Sequence, residues 1–446
     1  MAKSFFGTDG IRGTVNTEDL NSEIALKLGI AAGKVFTRGQ YKHRVLIGKD
    51  TRLSGYMLES ALESGFTSSG MNVFLTGPIP TPAIAHLTKA LRADLGVMIT
   101  ASHNTYEDNG FKLFGPNGLK LTDEQQSEIN DLMNRSDIMS LQNNKQIGSA
   151  KRVDDALSRY VEFAKASFPN SMRLDNIKIV LDCANGAAYK AAPMIFWELG
   201  ADIIVIGDQP NGRNINQDCG STKTKKLRAE VLNNNADLGI AFDGDGDRLV
   251  LVDEVGKEIE GEHLIAMIAF SLKQRNLLKS NKVVSTVMAN LSLEKYFESI
   301  GIELIRTNVG DRYVYEEMTK TGSNFGGEPS GHLIINDFST TGDAIISSLQ
   351  VLSLMIEKNK PISELTNLFT LTKQINHEVK IGKKNISNKT LEDLSLKMRE
   401  KIGNEGRLII RKSGTEPLIR IMVETDNHEL GNKLINEIKS SLDFLS

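Results

Sequence analysis

The chain contains one strand–helix–strand pattern three times, and this repeat restricts the possible folds more than any other feature. Each copy begins with a short run rich in β-branched residues, continues through a stretch with helical periodicity, and ends with a glycine and a second such run. The first runs are Val45–Asp50, Ile177–Asp182 and Val283–Met288, and the second runs are Gly70–Gly77, Gly200–Gly207 and Gly301–Arg306. Strands that alternate with helices at this spacing are typical of βαβ units in a mainly parallel sheet. The sequence therefore predicts three related α/β domains.

The first two copies also agree in their finer spacing. Three residues, Gly70, Gly77 and Pro80, recur 130 positions later as Gly200, Gly207 and Pro210. The run Asp94-Leu-Gly-Val-Met-Ile resembles Asp237-Leu-Gly-Ile-Ala-Phe at an offset of 143, which places Ser102 and Asp245 at equivalent points after their strands. Because loops at the carboxyl ends of parallel strands carry the sites of α/β domains, we expect chemistry in both loops.

Polar, breaker-rich stretches at residues 142–152, 253–261 and 371–390 divide the chain into four predicted domains. We expect these domains at residues 1–152, 153–254, 255–368 and 369–446. The first three are predicted to be α/β domains with mixed, mainly parallel sheets. The last is predicted to be a smaller α+β domain, with strands near 377–381, 407–411 and 418–424, a helix across 391–402 and a final helix. An active site shared by four domains would lie in the central cleft.

Charge and hydropathy exclude several classes of partner. Lys and Arg total 53 and Asp and Glu total 56, a net charge of −3, so bulk charge would not drive binding to nucleic acid or anionic membranes. The longest apolar run, Leu264–Phe270, is far shorter than the roughly 20 residues of a membrane span. The segment Met1–Gly7 lacks the apolar core of a signal peptide. The two cysteines, Cys183 and Cys219, cannot form a disulfide framework. We therefore expect a cytoplasmic protein without nucleic-acid or membrane partners.

Asp243-Gly-Asp-Gly-Asp-Arg248 is the sharpest chemical motif in the chain. Three carboxylates at alternate positions, separated by glycines, can turn inward around one hard cation such as Mg²⁺. An EF-hand is excluded, because Arg248 occupies the loop position that needs glycine and the flanking residues 238–242 and 249–252 indicate strands. A solvated acidic turn is the alternative, but without a cation its carboxylates would repel one another.

Ser102 lies in Thr100-Ala-Ser-His-Asn104, directly after the predicted strand Gly96–Ile99. Its neighbour His103 is poorly placed to act as its base, because adjacent side chains do not face one another on regular elements. A distant histidine could still serve this purpose. From these residues alone, the favoured interpretation is a strand-to-helix loop with capping hydroxyls.

Arg411-Lys-Ser-Gly-Thr-Glu-Pro417, with Arg420 beyond it, has the composition of an anion-binding loop. Hydroxyls, a backbone opened by glycine and guanidinium donors are the groups that bind phosphate. A basic surface turn is the alternative. The chain contains neither G-x-x-x-x-G-K-[ST] nor G-x-G-x-x-G, which excludes nucleotide-binding loops of those two kinds.

Two further glycine-rich loops could contact a polyhydroxylated ligand. Gly326–His332 presents Glu328, Ser330 and His332, and Gly7–Gly13 contributes Arg12. Neutral hydrogen-bonding groups beside one carboxylate suit sugar hydroxyls. An acidic metal loop, a serine loop, a sugar loop and a phosphate loop, one in each predicted domain, together indicate a phosphosugar as the ligand.

Taken in order, these motifs resemble those of the α-D-phosphohexomutase superfamily, and the resemblance covers essentially the whole chain. Within the superfamily the sequence most resembles the bacterial phosphoglucosamine mutase subgroup. The motifs that support this narrower assignment are Gly7–Gly13, Asn308–Val314 and Arg411–Arg420. A chance match of all the motifs in this order is not credible.

The resemblance implies that Ser102 carries a covalent phosphate, which overrides the capping interpretation. In the family this phosphate and three aspartates, matching Asp243, Asp245 and Asp247, hold one Mg²⁺ per chain. The phosphoserine would transfer its phosphoryl group to a sugar phosphate, and the opposite phosphate of the resulting bisphosphate would return to the serine. The net reaction would interconvert glucosamine 6-phosphate and glucosamine 1-phosphate for UDP-N-acetylglucosamine synthesis, with a bisphosphorylated sugar as activator.

The resemblance also implies roles for other side chains. Lys112 matches the family's acid/base near the serine, Arg12 and His332 are further candidates, and Arg248 would offset charge on the transferring phosphoryl group. The residues expected to contact substrate are Thr307, Gly310, Asp311, Arg312, Glu328, Ser330, Arg411, Ser413, Gly414, Thr415 and Arg420. A homodimer is an expectation from the family alone.

Two positions depart from the family pattern. Thr105 stands where a proline usually follows the active-site Ser-His-Asn, which leaves the nucleophile intact. Pro329 occupies a position at which the mutase subgroups differ, so a phosphomannomutase or phosphoglucomutase is the nearest alternative. A metal-stabilised sugar-phosphate sensor without catalysis and a metal-dependent phosphatase are the alternatives from other classes.

Overall fold

The computed structural model describes residues 3–7, 9–139, 146–380, 386–403, 406–412 and 418–445. The chain divides into two compact units, one formed by Met1–Met288 with Leu304–Thr366 and the other by Ala289–Glu303 with Asn367–Ser446. Among the described helices, none combines the length and the apolar character needed to cross a membrane.

The first sheet has six strands and lies in the N-terminal part of the first unit. The elements of this part are β1 (Ile11–Thr14), α1 (Ser22–Phe36), β2 (Arg44–Lys49), α2 (Ser54–Ser68), β3 (Asn72–Pro78), α3 (Thr81–Ala90), β4 (Leu95–Ile99), β5 (Asp108–Phe114), α4 (Asp123–Met133) and β6 (Ala150–Arg152). The strand order is β1-β5-β4-β2-β3-β6. Strand β2 is parallel to β3 and β4, whereas β5 is antiparallel to β4 and β1. Every residue of β4 is buried, as expected for a strand covered on both faces.

The second sheet has five strands. The elements here are α5 (Ala156–Lys165), β7 (Lys178–Asp182), α6 (Ala191–Glu198), β8 (Asp202–Ile206), α7 (Lys225–Asn234), β9 (Leu238–Phe242), β10 (Leu249–Asp253) and β11 (Glu258–Ile259). The order is β11-β10-β9-β7-β8. Strand β7 is parallel to β8 and β9, and β10 is antiparallel to β9.

The third sheet has four strands. The chain from residue 261 to 365 contains α8 (Gly261–Gln274), β12 (Lys282–Thr286), α9 (Leu291–Ser299), β13 (Glu303–Thr307), α10 (Asp311–Thr321), β14 (Phe325–Gly327), β15 (Leu333–Ile335), α11 (Ala344–Lys358) and α12 (Ile362–Leu365). The strand order is β13-β12-β14-β15, in which β12 is parallel to β14 and β14 is antiparallel to β15.

All three sheets share one strand order. It is β5-β4-β2-β3 in the first, β10-β9-β7-β8 in the second and β15-β14-β12-β13 in the third. The prediction of three related α/β domains with mixed, mainly parallel sheets is confirmed, while the exact domain boundaries stay predictions. In each sheet the loop of the antiparallel hairpin occupies the same place, and these loops carry Ser102, the three aspartates and His332.

The second unit contains the predicted C-terminal α+β domain. The elements after residue 367 are β16 (Gln374–Lys380), α13 (Asn388–Ile402), β17 (Gly406–Lys412), β18 (Leu418–Thr425) and α14 (His428–Leu445). The three strands form an antiparallel sheet in the order β16-β18-β17. Its core includes the buried side chains of Leu408, Ile419, Ile421 and Ile438. Each strand and helix predicted for this domain is therefore confirmed.

A buried carboxyl group begins helix α11 in the first unit. Asp343 Oδ1 accepts a hydrogen bond from the Ile346 N–H at 3.0 Å, and the Tyr160 hydroxyl donates to Asp343 Oδ2 at 3.0 Å. Burial raises the pKa of Asp343 to about 7. Ionisation of this carboxyl group therefore costs the folded protein free energy at neutral pH.

Stability is expected to fall with rising pH because of Asp343. The pKa of Asp343 in the folded protein lies above its usual value, so the neutral carboxyl group stabilises the fold fully at low pH. This stabilisation is lost as pH rises to about 7, by at most about 1.4 kcal/mol of unfolding free energy per pH unit. The variant Asp343→Asn keeps a helix-capping acceptor and does not ionise, so its thermal stability should fall less between about pH 4 and pH 7. Thermal unfolding of both proteins across this range measures the difference. Parallel curves would contradict the prediction.

Candidate active site

The three hairpin loops bring the candidate catalytic residues together within the first unit. Ser102 Oγ donates a hydrogen bond to Asp243 Oδ2 at 2.6 Å, which joins the first loop to the second. His332 Nδ1 lies 3.7 Å from Asp247 Oδ1, which joins the third loop to the second. The expected proximity of the serine and aspartate loops is therefore observed, and the third loop adds its histidine to the same cluster.

Ser102 is buried and has a left-handed backbone conformation, with φ of +52°. This conformation is uncommon for a residue other than glycine and needs support from its surroundings. Its N–H donates to Thr100 Oγ1 at 2.9 Å, and its carbonyl oxygen accepts from Asn216 Nδ2 at 2.9 Å and Arg52 Nη2 at 3.1 Å. The loop therefore holds the hydroxyl in one orientation, toward the aspartates.

Arg52 is a fully buried support for this loop that the sequence did not predict. Its Nε pairs with Asp50 Oδ2 at 2.8 Å. The other guanidinium nitrogens donate to backbone carbonyl oxygens of the serine loop and of the start of β5, including those of Ser102 at 3.1 Å, Asn104 at 2.9 Å and Asp108 at 3.1 Å. One planar, five-donor group thus determines the path of the backbone around the serine.

Replacing Arg52 by methionine is expected to lower both stability and activity. Asp50 would become a buried carboxylate without its cation, and loss of one partner from a buried ion pair costs about 3–5 kcal/mol. Several carbonyl oxygens of the serine loop would also lose one of their hydrogen-bond donors. Thermal unfolding and sugar-phosphate mutase assays test this, and an unchanged melting temperature would contradict the structural role given to Arg52.

Asp243, Asp245 and Asp247 form a buried carboxylate cluster, which we call the aspartate triad. One carboxylate oxygen from each can be chosen so that all three lie within 4.8 Å of one another. Within the described residues, Asp245 Oδ1 and Asp247 Oδ1 are buried and accept no hydrogen bond. Buried acceptors without donors are costly, and converging carboxylate oxygens are the ligands that Mg²⁺ prefers. The residues present therefore fit a divalent cation.

A glycine lets the triad approach the serine backbone. A Cβ on Gly244 would lie 2.5 Å from the Ser102 carbonyl oxygen, so no larger residue fits between Asp243 and Asp245 without movement. Burial raises the pKa of Asp243 well above its usual value, and the charges of Asp247 and Asp245 raise it further. A cation bound by the triad would remove this repulsion.

Lys112, on β5, is the cation nearest to the triad. Its buried ammonium group lies 2.8 Å from Asp245 Oδ2, 2.6 Å from Asp247 Oδ2 and 3.7 Å from Asp9 Oδ2. Burial alone would lower the pKa of Lys112, but these three carboxylates raise it well above its usual value. Lys112 is therefore protonated at neutral pH and can supply a proton or a positive charge in this cluster.

His332 is buried and lies between two carboxylates. Its Nε2 is 3.2 Å from Asp311 Oδ2 and 3.1 Å from the Gly342 nitrogen, two neighbours that favour opposite protonation states of Nε2. Burial would lower the pKa of His332, but Asp247 and Asp311 raise it to about 10. The protonated ring paired with both carboxylates is therefore the favoured state at neutral pH.

Arg248 and Arg12 bring positive charge near the serine. Arg248 Nη1 lies 3.1 Å from His103 Nδ1, and Arg12 Nη2 lies 2.7 Å from Asp9 Oδ2. Burial lowers the pKa of His103 to about 4, with Arg248 and Arg12 contributing in the same direction. His103 is therefore a neutral acceptor for Arg248. Its Nδ1 is 3.4 Å from Ser102 Oγ, a longer contact than the serine makes with Asp243.

The predicted sugar-binding residues lie on the third sheet and its loops. Glu328 is half-buried, and its Oε1 accepts a hydrogen bond from the Gly310 N–H at 3.0 Å. Ser330 is exposed at the tip of the β14–β15 loop, and Thr307 is half-buried at the end of β13. Glu328 and Gly310 are therefore one connected pair, and their contact with substrate stays a prediction.

Asp311 and Arg312, predicted to contact the sugar, already have charged protein partners. Asp311 Oδ2 lies 2.6 Å from Lys120 Nζ and 3.2 Å from His332 Nε2, and Arg312 pairs with Asp123 at the start of α4. Burial would raise the pKa of Asp311, but Lys120 and His332 lower it well below its usual value. The carboxylate is therefore ionised and engaged by protein cations.

In the second unit, Arg411 and Arg420 are direct cross-strand partners on β17 and β18. Arg420 Nε also lies 3.2 Å from Glu378 Oε1 on the neighbouring strand β16. Like charges directly opposite one another in a sheet are unfavourable unless an anion offsets them. The predicted phosphate ligands Ser413, Gly414 and Thr415 lie outside the described residues.

Four family models match the chain in order, each one a domain of phosphoglucomutase/phosphomannomutase. Alpha/beta/alpha domain I matches residues 3–138, domain II residues 158–256, domain III residues 260–372 and the C-terminal domain residues 372–441. A phosphoglucosamine mutase from Parvibaculum lavamentivorans is 51% identical over 444 residues, which cover 99% of each chain. The chain belongs to the phosphohexomutase family. A second phosphoglucosamine mutase, from Gluconacetobacter diazotrophicus, is 51% identical over 99% of this chain and 98% of its own length.

Solved structures show that the family fold extends over the whole chain. A phosphoglucomutase/phosphomannomutase family protein from Burkholderia thailandensis superposes with a TM-score of 0.83 at 23% identity, covering 99% of this chain and 97% of the other. An Aspergillus fumigatus N-acetylphosphoglucosamine mutase, solved with GlcNAc-6P and magnesium, gives a TM-score of 0.67 at 18% identity, covering 100% of this chain and 96% of the other. The predicted fold class is confirmed by both.

Several residues of this phosphohexomutase site were not predicted from the sequence. Arg52 follows the carboxyl end of β2, the same sheet edge as the serine, so its position was an available signal. Asp9 lies in the Gly7–Gly13 loop, from which only Arg12 was selected. No local sequence pattern indicates a role for Lys120 or Asn216, because their partners Asp9 and Ser102 are more than a hundred residues away in the chain.

Proposed function

We propose that this phosphohexomutase interconverts glucosamine 6-phosphate and glucosamine 1-phosphate through a phosphoserine at Ser102. The observation that carries the proposal is the 2.6 Å hydrogen bond from the buried Ser102 hydroxyl to Asp243 in the aspartate triad. A nucleophile held beside a cation site is the arrangement that phosphoryl transfer requires. The 51% identical relatives named phosphoglucosamine mutase support glucosamine as the sugar.

Two phosphoryl transfers would complete the reaction. In the first, the Ser102 Oγ–P bond breaks and a bond from phosphorus to O1 of glucosamine 6-phosphate forms, while the O1 proton moves to Oγ. In the second, after the bisphosphorylated sugar has turned over in the site, Oγ attacks the phosphorus on O6, the bond from phosphorus to O6 breaks, and the Oγ proton moves to O6. The serine is phosphorylated again at the end, so only the position of the phosphate on the sugar has changed.

Lys112 is the proposed proton carrier for these transfers, with Arg12 and His332 as further candidates. The ammonium group of Lys112 lies 2.6 Å from Asp247 and 2.8 Å from Asp245, so its proton and its positive charge are close to the groups between which the phosphate moves. General acid–base catalysis of this kind contributes about 10²–10⁴-fold to rates. Arg248, half-buried beside His103, would offset charge on the transferring phosphoryl group.

The aspartate triad and the serine phosphate would together hold one Mg²⁺. When bound, this ion would neutralise negative charge on the phosphoryl group and hold it in line for transfer. The two triad oxygens that accept no hydrogen bond among the described residues support this assignment.

Substrate contacts are proposed for several of the predicted residues. Glu328 and Ser330 would bind sugar hydroxyls, and Thr307 with the turn at Gly310 would lie beside the sugar. Arg411 and Arg420, with the loop between them, would bind the phosphate that is not being transferred, because two guanidinium groups facing each other across a strand pair attract a dianion. A cytoplasmic location and a homodimer stay predictions.

A comparison of three substrates tests the proposed function. Turnover of glucosamine 6-phosphate, glucose 6-phosphate and mannose 6-phosphate is measured with Mg²⁺ and a trace of sugar bisphosphate. We expect glucosamine 6-phosphate to be used with the highest kcat/KM. A hundredfold preference for mannose 6-phosphate would make the glucosamine assignment wrong. Release of inorganic phosphate at the rate of substrate loss would indicate a phosphatase, and binding without turnover would indicate a sensor.

A further inference from the structure

Six ionisable side chains of the first unit form a closed circuit in which basic and acidic groups alternate, which we call the charge ring. Its members, in order around the circuit, are Lys112, Asp9, Lys120, Asp311, His332 and Asp247. Lys112 lies 2.6 Å from Asp247 and 3.7 Å from Asp9, and Lys120 lies 2.6 Å from Asp311. Each carboxylate therefore lies between two basic groups.

The charge ring connects the three hairpin-containing α/β sheets. Asp9 precedes β1 and Lys120 follows β5, so both belong to the first sheet's surroundings. Asp311 is the first residue of α10, and His332 directly precedes β15 in the third. Asp247 is a member of the aspartate triad between β9 and β10. A change at one member can therefore alter contacts made by elements far apart in the chain.

Lys120 differs from the other two basic groups of the ring because, among the described residues, it contacts neither Ser102 nor the aspartate triad. It pairs with Asp9 on one side and with Asp311 at 2.6 Å on the other, and its side chain is only 14% exposed. Each of these carboxylates also contacts an acid/base candidate: Asp9 contacts Lys112 at 3.7 Å, and Asp311 contacts His332 at 3.2 Å. Lys120 thus competes with Lys112 for Asp9 and with His332 for Asp311.

We propose that Lys120 is a positioning residue for phosphoryl transfer, which holds Asp9 and Asp311 so that Lys112 and His332 remain directed at the aspartate triad. Without Lys120, Asp9 would draw Lys112 away from Asp245 and Asp247, and Asp311 would draw His332 away from Asp247. The two acid/base candidates would then be displaced from the reacting groups. This inference rests on the proposed function, because it assigns Lys120 to the same reaction.

The burial of Lys112 and His332 explains why their displacement would slow the reaction. Lys112 and His332 are both buried, so their charged groups have few other partners, and a displaced ammonium group would leave a triad carboxylate without its cation. Misplacement of a catalytic group by about 1 Å can lower a rate by about 10²-fold. Lys120 can therefore affect the chemical step although it does not contact the reacting atoms.

The test compares Lys120→Met with Lys120→Arg and with the control Lys320→Met. Lys320 is an exposed lysine of α10 that pairs with Glu317 at 3.5 Å, so its replacement should leave activity unchanged. For Lys120→Met we expect kcat to fall about 10–100-fold while KM for glucosamine 6-phosphate changes less than about threefold. Lys120→Arg keeps the charge between the two carboxylates and should restore most of kcat. If Lys120→Met does not fold, Lys120→Gln supplies the same comparison.

A double-mutant cycle distinguishes positioning from a general effect on folding. If Lys120 acts through Asp311, Lys120→Met should cost much less in an Asp311→Asn background than in the wild type, because their effects would not add. Losses of kcat that add in the double variant would overturn the inference. A loss of kcat in Lys120→Met that is accompanied by a loss of thermal stability and is not restored in Lys120→Arg would also overturn it. Absence of mutase activity in the wild type would instead overturn the proposed function.

Discussion

Replacement of Ser102 by alanine is expected to lower mutase turnover by about 10⁴-fold or more, the largest effect of any single substitution in the chain. The variant removes the one oxygen of the protein that the proposed reaction phosphorylates, so no alternative route through the same site is available. Losses of about 10⁶-fold on removal of a catalytic nucleophile set the scale. The Ser102 hydroxyl donates to one carboxylate of the aspartate triad, so its loss should affect stability far less than activity.

The Ser102→Ala experiment has a matched control in Ser347→Ala. Ser347 is also buried, and its hydroxyl has no hydrogen-bond partner among the described residues, so its loss should leave turnover near the wild-type value. Intact-mass measurement before and after phosphatase treatment shows whether each protein carries a phosphoryl group. We expect the group on wild type and Ser347→Ala and not on Ser102→Ala. Unchanged mutase activity in Ser102→Ala would contradict the phosphoserine mechanism.

The second large effect is expected for Asp243→Asn, with a loss of turnover of about 10²–10⁴-fold. Asp243 is the triad member that contacts the serine, since Oδ2 accepts from Ser102 while Oδ1 accepts the N–H groups of Asp247 at 3.1 Å and Arg248 at 3.2 Å. Asparagine preserves the size of the side chain but removes one negative charge from a three-carboxylate site. Affinity for a divalent cation depends on the number of charged ligands, so cation binding should weaken together with turnover.

Cation dependence separates this effect from a loss of folding. Activity and thermal stability are measured for wild type and Asp243→Asn at increasing Mg²⁺ after treatment with EDTA. We expect Mg²⁺ to restore the wild type at lower concentrations than the variant and to raise its melting temperature more. Asp253→Asn is the control, because Asp253 is also buried, at the other end of β10, and its Oδ1 accepts backbone hydrogen bonds that asparagine can retain. Full activity of wild type in EDTA would contradict the cation requirement.

Much of the fold was predictable because the local strand and helix patterns and the repeated spacing indicated the same α/β domains. The offset of 143 residues between the runs at Asp94 and Asp237 correctly placed Ser102 and the triad on equivalent loops. The equivalence of the third loop, Glu328–His332, was not predicted from the repeat. Its flanking strands β14 and β15 have only three residues each, too few to show a strand pattern.

The candidate site was less predictable than the fold, because its charges are paired over long distances. The family resemblance implies that Asp311 and Arg312 contact the sugar, which stays a prediction, but it did not indicate that Lys120 and Asp123 are their charged partners in the protein. Lys120 pairs with Asp9 across 111 residues, a separation at which no sequence pattern indicates contact. Which charges neutralise one another depends on how the sheets pack, and a single sequence does not report this.

Transfer of the serine phosphate to substrate is the direct test of the phosphoserine mechanism. Wild-type protein carrying ³²P-phosphate at Ser102 is mixed with Mg²⁺ and unlabelled glucosamine 6-phosphate, and the products are separated after rapid quenching. We expect the label to leave the protein and to appear in bisphosphorylated glucosamine and then in the monophosphate pool. Label that stays on the protein, or appears only as inorganic phosphate, would contradict it.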